Sequence, residues 1–202
     1  MKKITTYLIA LLLLIPASSV YAKDWPIDID HSAAHFSIEH MSIAMVRGHL
    51  ANLTGTGTFD DNSGELTGLK IKVGVDSINT GVIKRDDHLR SADFFEVAKY
   101  PAITFVSKKI AVGKNGVGTV VGDLTIKNVT KEVTLTLNGP TATITDPWGN
   151  LRKGAKLALT IDRTDYGITY GSSLAGGGLT IGHKVDIQAD VEFLILNPKL
   201  VK

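Results

Sequence analysis

The feature that most constrains this fold is a strict alternation of apolar and polar side chains near the end of the chain. Between Lys184 and Phe193, apolar residues stand at every second position: Val185, Ile187, Ala189, Val191 and Phe193. A period of two places one set of side chains on a dry face and the other set in water. A helix would instead repeat its apolar residues every three or four positions. The segment therefore predicts an antiparallel strand with one buried face.

Seven further segments show the same pattern at fairly even spacing, separated by turn-forming runs such as Asp60–Gly64 and Gly113–Gly116. They begin near residues 27, 49, 69, 103, 120, 133 and 155. The 20 glycines fit strands and turns, and the absence of cysteine excludes a disulfide scaffold and a thiolate zinc site. We therefore expect an all-β fold of eight antiparallel strands. Periodicity does not separate a barrel from a sandwich, but an eight-stranded barrel has no free edge and encloses room for one elongated ligand.

One helical insert is expected between the third and fourth of these strands, within residues 80–100. Leu89, Ala92 and Phe95 recur every three positions as a short helical stripe. Asp86 and Arg90 are spaced to form an ion pair along the same helix. A helix at this point of the chain would close one end of a barrel.

The first 22 residues have the pattern of a cleaved secretory signal. Lys2 and Lys3 precede an apolar run from Tyr7 to Ile15, which is too short to span a bilayer, and Val20-Tyr21-Ala22 suits a cleavage site before Lys23. Without Lys2 and Lys3 the chain has 20 basic and 20 acidic residues, so its charge favours neither nucleic acid nor stable membrane insertion. We expect a single exported domain, residues 23–202, in a bacterial periplasm.

Four segments resemble a known family. They are Asp30–Met41 (DHSAAHFSIEHM), Arg85–Phe95 (RDDHLRSADFF), Gly122–Lys131 (GDLTIKNVTK) and Asp162–Ile168 (DRTDYGI). They resemble the YceI-like proteins, which are periplasmic, lipocalin-like barrels that bind polyisoprenoid lipids. The resemblance spans nearly all of residues 23–202. It implies a lipocalin-like barrel and a lipid ligand, and it implies no catalytic residues.

The leading hypothesis is a non-catalytic binding or carrier protein that holds a long-chain isoprenoid, such as a polyisoprenoid or an isoprenoid quinone, inside the barrel. No metal and no other cofactor is expected, and one long strand edge in a barrel that is not fully closed would allow a homodimer. The expected ligand-contacting residues are apolar side chains of the strands and the insert together with one histidine. They are Phe36, Ile38, His40, Phe59, Ile71, Val73, Leu89, Phe95, Phe105, Leu135, Leu157 and Phe193.

Two alternatives remain open from the residues alone. The first is a secreted hydrolase or metal-dependent enzyme that uses histidine and aspartate. We expect His31 and His35 on one face of the same strand, about 13 Å apart, so a metal site would need a residue from another strand, such as His49. Asp86, Asp87 and His88 are consecutive and would point in different directions on a helix. The second alternative is a structural or stress-related protein with a filled core.

Overall fold

The computed structural model describes residues 22–199, which form one antiparallel sheet of eleven strands with one α-helix and three short 3-10 helices. The strands are β1 Ala22–Pro26, β2 Ala33–His40, β3 Ala44–Leu50, β4 Leu53–Asp60, β5 Leu66–Gly74, β6 Ala102–Val112, β7 Val117–Ile126, β8 Val129–Asn138, β9 Ile144–Thr145, β10 Leu151–Asp162 and β11 Ile181–Ile195. The α-helix is α1 Ile83–Arg90, and the 3-10 helices are Ile29–His31, Val75–Ser77 and Arg163–Tyr166. The expected signal segment lies almost wholly outside these residues.

The strands follow one another in the order β1-β4-β5-β6-β7-β8-β10-β11-β2-β3, and β9 pairs with β10. Strands β1 and β3 are therefore the two edges, and the hydrogen-bonded path between them is open. A single bridge from Ile27, just after β1, to Phe193 in β11 brings the first edge back against the sheet. The sheet is thus strongly curved, and its inner face wraps around one interior.

The expectation of an all-β antiparallel fold is confirmed, whereas the closed barrel of eight strands is not. Each of the eight segments contains a strand, but β1, β3 and β9 are additional. Strand β3 is missed except for its last two residues, because the second expected strand begins near residue 49 and continues into β4, whereas the chain leaves the strand conformation at Ala51 and Asn52. The helix lies between β5 and β6, which contain the third and fourth expected segments and are renumbered because two of the additional strands precede them. It ends at Arg90, so Ala92 and Phe95 lie in the turns that follow it.

The end of the sheet that contains β1 is filled by three aromatic rings. Phe59 packs edge-on against Trp25, with 5.6 Å between ring centroids, and against Phe193, with 5.1 Å. All three side chains are buried. A Cβ atom at Gly57 would lie 2.6 Å from the Phe193 ring, so the close packing here depends on glycine. Among residues 22–199, no helix is long and apolar enough to cross a membrane.

Candidate functional site

An internal cavity of about 820 Å³ occupies the interior of the curved sheet. Nine of the strands line it, all except β1 and β9, and α1 and the loop after Tyr166 complete the wall. The lining is mostly aliphatic and aromatic. Ten of the twelve side chains expected to contact a ligand line this cavity: Phe36, Ile38, His40, Ile71, Val73, Leu89, Phe95, Phe105, Leu135 and Leu157.

Phe59 and Phe193, the other two expected contacts, do not line the cavity. Both lie on the inner face of the sheet, as their alternation requires, but they belong to the aromatic cluster around Trp25. They therefore form part of the packed core beyond the cavity. The alternation predicts the face of a strand on which a residue lies, but it does not predict how far along the interior of the sheet that residue is.

Several lining residues were not anticipated. Some of them share the apolar face of strands that had been identified, so the same alternation indicates them: Leu124, Val133, Leu159 and Ile187. Phe94 and Tyr170 also line the cavity, but they lie in irregular segments where no periodic pattern exists. Only the folded chain brings these two rings together, with 5.0 Å between their centroids.

Polar side chains collect on one part of the cavity wall, near α1. His88 packs edge-on against Phe94 and Tyr170, with centroid distances of 5.0 and 4.8 Å, and its Nε2 atom lies 2.7 Å from Asp93 Oδ2. Arg85 also lines the cavity. Together with Glu39 and His40, these groups give a mostly apolar cavity a polar end, which is the arrangement that an amphiphilic ligand requires.

The helix that carries Arg85 and His88 is anchored to the segment before it. Asp86 is buried and accepts hydrogen bonds from the backbone N–H and the hydroxyl of Thr80, at 2.9 and 2.5 Å. Arg90 donates to the carbonyl oxygens of Asp76 and Ile78 and pairs with Asp87 at 3.0 Å. The ion pair expected between Asp86 and Arg90 is therefore wrong, because Asp86 turns inward to cap residues before the helix.

The curved sheet and its cavity belong to a part of the chain that has known relatives. The YceI-like domain matches residues 25–193, a range that includes every residue lining the cavity. The chain belongs to the YceI-like family. A UPF0312 protein of Yersinia pestis is 36% identical over 160 residues, which cover 78% of this chain and 82% of the relative.

Solved structures show the same YceI-like fold. The YceI protein of Campylobacter jejuni is 29% identical, with a TM-score of 0.66 over 79% of this chain and 91% of its own. A polyisoprenoid binding domain from Saccharophagus degradans, implicated in plant cell wall breakdown, is 18% identical, with a TM-score of 0.60 over 84% and 97% of the two chains. At that identity the second likeness concerns the fold alone.

Arg163 is a buried cation in the cavity wall, and backbone carbonyl oxygens hold its guanidinium. The guanidinium of Arg163 donates to the carbonyl oxygens of Gly182, Ile168 and Ile181, at 2.8, 2.7 and 3.1 Å. Burial lowers the pKa of Arg163 from its ordinary value. These bonds join the loop after Tyr166 to the start of β11, so we assign Arg163 the role of fixing this part of the wall.

A cluster of charged side chains outside the cavity has the spacing of a metal site. Asp28, His31 and Glu192 bring ligand-type atoms within 4.8 Å of one another. However, Arg152 donates through one nitrogen to both Asp28, at 2.8 Å, and Glu192. Its Nε atom donates to Asp146 at 2.8 Å. Hydrogen bonds from one guanidinium thus occupy both carboxylates that a metal would need, and the cluster is an ion-pair network that ties the two ends of the domain together.

The positions of His31, His35 and His49 test whether these three side chains could share one metal ion. His31 lies in a 3-10 helix before β2, so it does not share a strand with His35. His35 lies opposite His49 on β3, with 6.0 Å between the ring centroids. Within the part of the chain that the structure describes, no third histidine and no carboxylate joins this pair.

Proposed function

We propose that this YceI-like protein binds a long-chain isoprenoid or a similar amphiphilic lipid inside the cavity and acts as a non-catalytic carrier. The observation that carries the proposal is the cavity itself. Natural protein interiors are close-packed, and a void deprives its lining of contacts. A volume of about 820 Å³ falls within the range of ligand pockets, about 300–1,000 Å³.

The composition of the wall supports a lipid rather than a polar metabolite. Side chains such as Phe105, Leu135 and Leu157 offer no hydrogen bonds, so a polar ligand would lose its hydration there without compensation. An alkyl or prenyl chain gains about 0.8 kcal/mol for each buried CH₂ group, before the cost of ordering the chain. The polar end at His40, Arg85 and His88 suits a head group that accepts hydrogen bonds, such as a quinone carbonyl.

The comparisons support the same ligand class. The related fold from Saccharophagus degradans is described as a polyisoprenoid binding domain. The family and the sequence pattern of residues 1–22 both support export to a periplasm, with residues 23–202 as the mature domain. We further propose that the protein needs no cofactor other than the lipid, and a homodimer stays a prediction.

The proposal can be tested with isoprenols of graded length. Protein stripped of lipid is titrated with geraniol, farnesol, geranylgeraniol and longer polyprenols, and the Kd is measured for each. We expect the Kd to fall by about tenfold or more with each added isoprene unit until the chain fills the cavity, and then to level off. A Kd that does not depend on chain length would contradict a binding site of this kind.

A further inference from the structure

Large apolar side chains are exposed around the polar end of the cavity. Ile43, at the tip of the β2–β3 hairpin, is 85% exposed, and Ile83, at the start of α1, is 80% exposed. Met41, Val82 and Tyr170 are also exposed. We call these five residues the apolar rim. Single exposed apolar residues are ordinary, but a group of them at one opening indicates an interaction surface.

Contacts between these segments place the rim at the cavity. The backbone N–H of Met41 donates to the carbonyl oxygen of Thr180 at 3.0 Å, and Thr180 lines the cavity. Tyr170 lines the cavity too and packs against His88 of α1. The hairpin tip and the helix are therefore joined through the loop between Tyr170 and Thr180. The rim is continuous with the proposed lipid site.

The surface beside the rim carries positive charge that is not neutralised. Arg47 and Lys84 are exposed, and neither forms an ion pair with any residue between 22 and 199. Within residues 22–199, the guanidinium of Arg85 bonds only to Thr80, through the hydroxyl and the carbonyl oxygen. Of the nearby exposed carboxylates, Asp87 is paired with Arg90, and Glu39 has no ion pair among the described residues, so the unpaired cations are in excess. Cations beside exposed apolar side chains are the pattern of a surface that binds an anionic membrane.

We propose that the apolar rim docks on an anionic lipid bilayer, so that a lipid passes between the bilayer and the cavity without crossing water. The inference rests on the proposed function, because a rim around an opening serves transfer only if the cavity holds a lipid. Two features favour a bilayer over a protein partner: the rim surrounds the mouth of an apolar cavity, and its unneutralised charges match anionic head groups. A long prenyl chain cannot leave the cavity into water without losing the stabilisation gained by burial.

The far end of the sheet provides a matched control. Ile144 is 59% exposed and lies in β9, which pairs with the first residues of β10. The polar end of the cavity lies beyond the last residues of β10, about 36 Å away along the strand. Ile144→Glu therefore adds the same charge as a rim substitution at a comparably exposed aliphatic residue on the opposite end.

The test measures co-flotation with vesicles of phosphatidylethanolamine and phosphatidylglycerol, and with vesicles of phosphatidylcholine alone. We expect the wild-type protein to float with the anionic vesicles and much less with the neutral ones. Ile43→Glu and Ile83→Glu should each lower the partition coefficient by about tenfold or more, while Ile144→Glu leaves it unchanged. Both rim residues are so exposed that we expect circular dichroism and urea unfolding to stay as in the wild type.

Several results would overturn the docking proposal. They are no flotation of the wild-type protein, equal flotation of the rim variants, or an equal loss in Ile144→Glu. A concentration-dependent dimer that Ile43→Glu abolishes, without any effect on flotation, would assign the rim to a second copy of the chain. The proposed function is judged separately, by the lipid retained in the purified wild-type protein. Retained lipid without flotation refutes docking alone, whereas flotation without retained lipid refutes the carrier role and the lipid transfer but leaves the docking surface.

Discussion

Phe105 and Val106 show at the scale of single residues how the interior is made. They are neighbours in β6, yet Phe105 is buried and lines the cavity, whereas Val106 is exposed on the outer face. Alternation along the strand is the whole cause of this difference. The two positions therefore separate an effect on the cavity from an effect on the strand.

We predict that Phe105→Asp abolishes lipid retention and lowers stability, because a carboxylate without a partner in an apolar cavity costs several kcal/mol or is forced to take up a proton. Val106→Asp, on the outer face of the same strand, should retain lipid. Lipid content is measured by mass spectrometry of extracts, and stability by urea unfolding. A Phe105→Asp protein that folds normally and carries a full lipid load would show that this face is not the lining.

Asp146 makes the stability of the protein depend on pH. Burial acts to raise the pKa of this carboxyl, but hydrogen bonds from Arg152, Asn150 and the N–H of Trp148 outweigh it and lower the pKa from 3.8 to about 2. A lowered pKa in the folded state stabilises the protein above the unfolded value, and the stabilisation is lost as the pH falls toward 2.

We therefore predict that the urea midpoint of the wild-type protein falls between pH 4 and pH 2 more steeply than that of Asp146→Asn, which cannot titrate at this position. The midpoint is measured by fluorescence at a series of pH values. Parallel curves for the two proteins would mean that the network around Arg152 does not contribute in this range.

At the scale of elements, α1 is both anchored and in contact with the cavity. Asp86 and Arg90 fix it to the segment before it, while Leu89 lines the cavity and is only partly buried. Leu89 packs against the core, and we propose that it also limits passage at this end. Short inserts of this kind are commonly among the less stable parts of a rigid fold.

We predict that Leu89→Ala speeds the exchange of a bound lipid more than it lowers the unfolding midpoint. Truncation widens the polar end of the cavity, whereas the loss of packing stays below the roughly 2–5 kcal/mol of a fully buried leucine. Release of a fluorescent lipid is followed beside urea unfolding, with Leu135→Ala, deeper in the cavity wall, as the control. A large loss of stability with unchanged exchange would make α1 a fixed plug.

At the scale of the whole molecule, strand patterns and family resemblance predict most of the architecture but not its closure. Alternation identified the inner face of all the long strands, because burial of one face is a local property. The break at Ala51 and Asn52 carries no such signal, so the second expected strand runs across it from residue 49, and most of β3 is missed. Phe59 and Phe193 were expected to line the cavity but lie beyond it. The position of a residue along the interior depends on how the strands are staggered, which is a property of the whole sheet. The inward turn of Asp86 depends in the same way on Thr80, a contact that helical spacing does not indicate.

Processing of the chain is also a property of the whole molecule. We predict a mature N-terminus at Lys23, from the basic start, the apolar run and the residues before it. Cleavage there keeps Lys23–Pro26 in register with β4 and leaves the aromatic cluster of Trp25 intact. Intact-mass measurement of exported material checks this, and a full-length species in the membrane fraction would refute it.

The central claim is that the cavity holds a lipid, and native mass spectrometry of the protein purified from its own cell envelope tests it most directly. The account predicts a complex heavier than residues 23–202 by the mass of one long-chain isoprenoid, which solvent extraction releases and tandem mass spectrometry identifies. The Phe105→Asp protein should show the mass of residues 23–202 alone, without bound lipid. A wild-type protein that also shows only the bare mass, and that takes up no polyprenol when one is supplied, would contradict the claim.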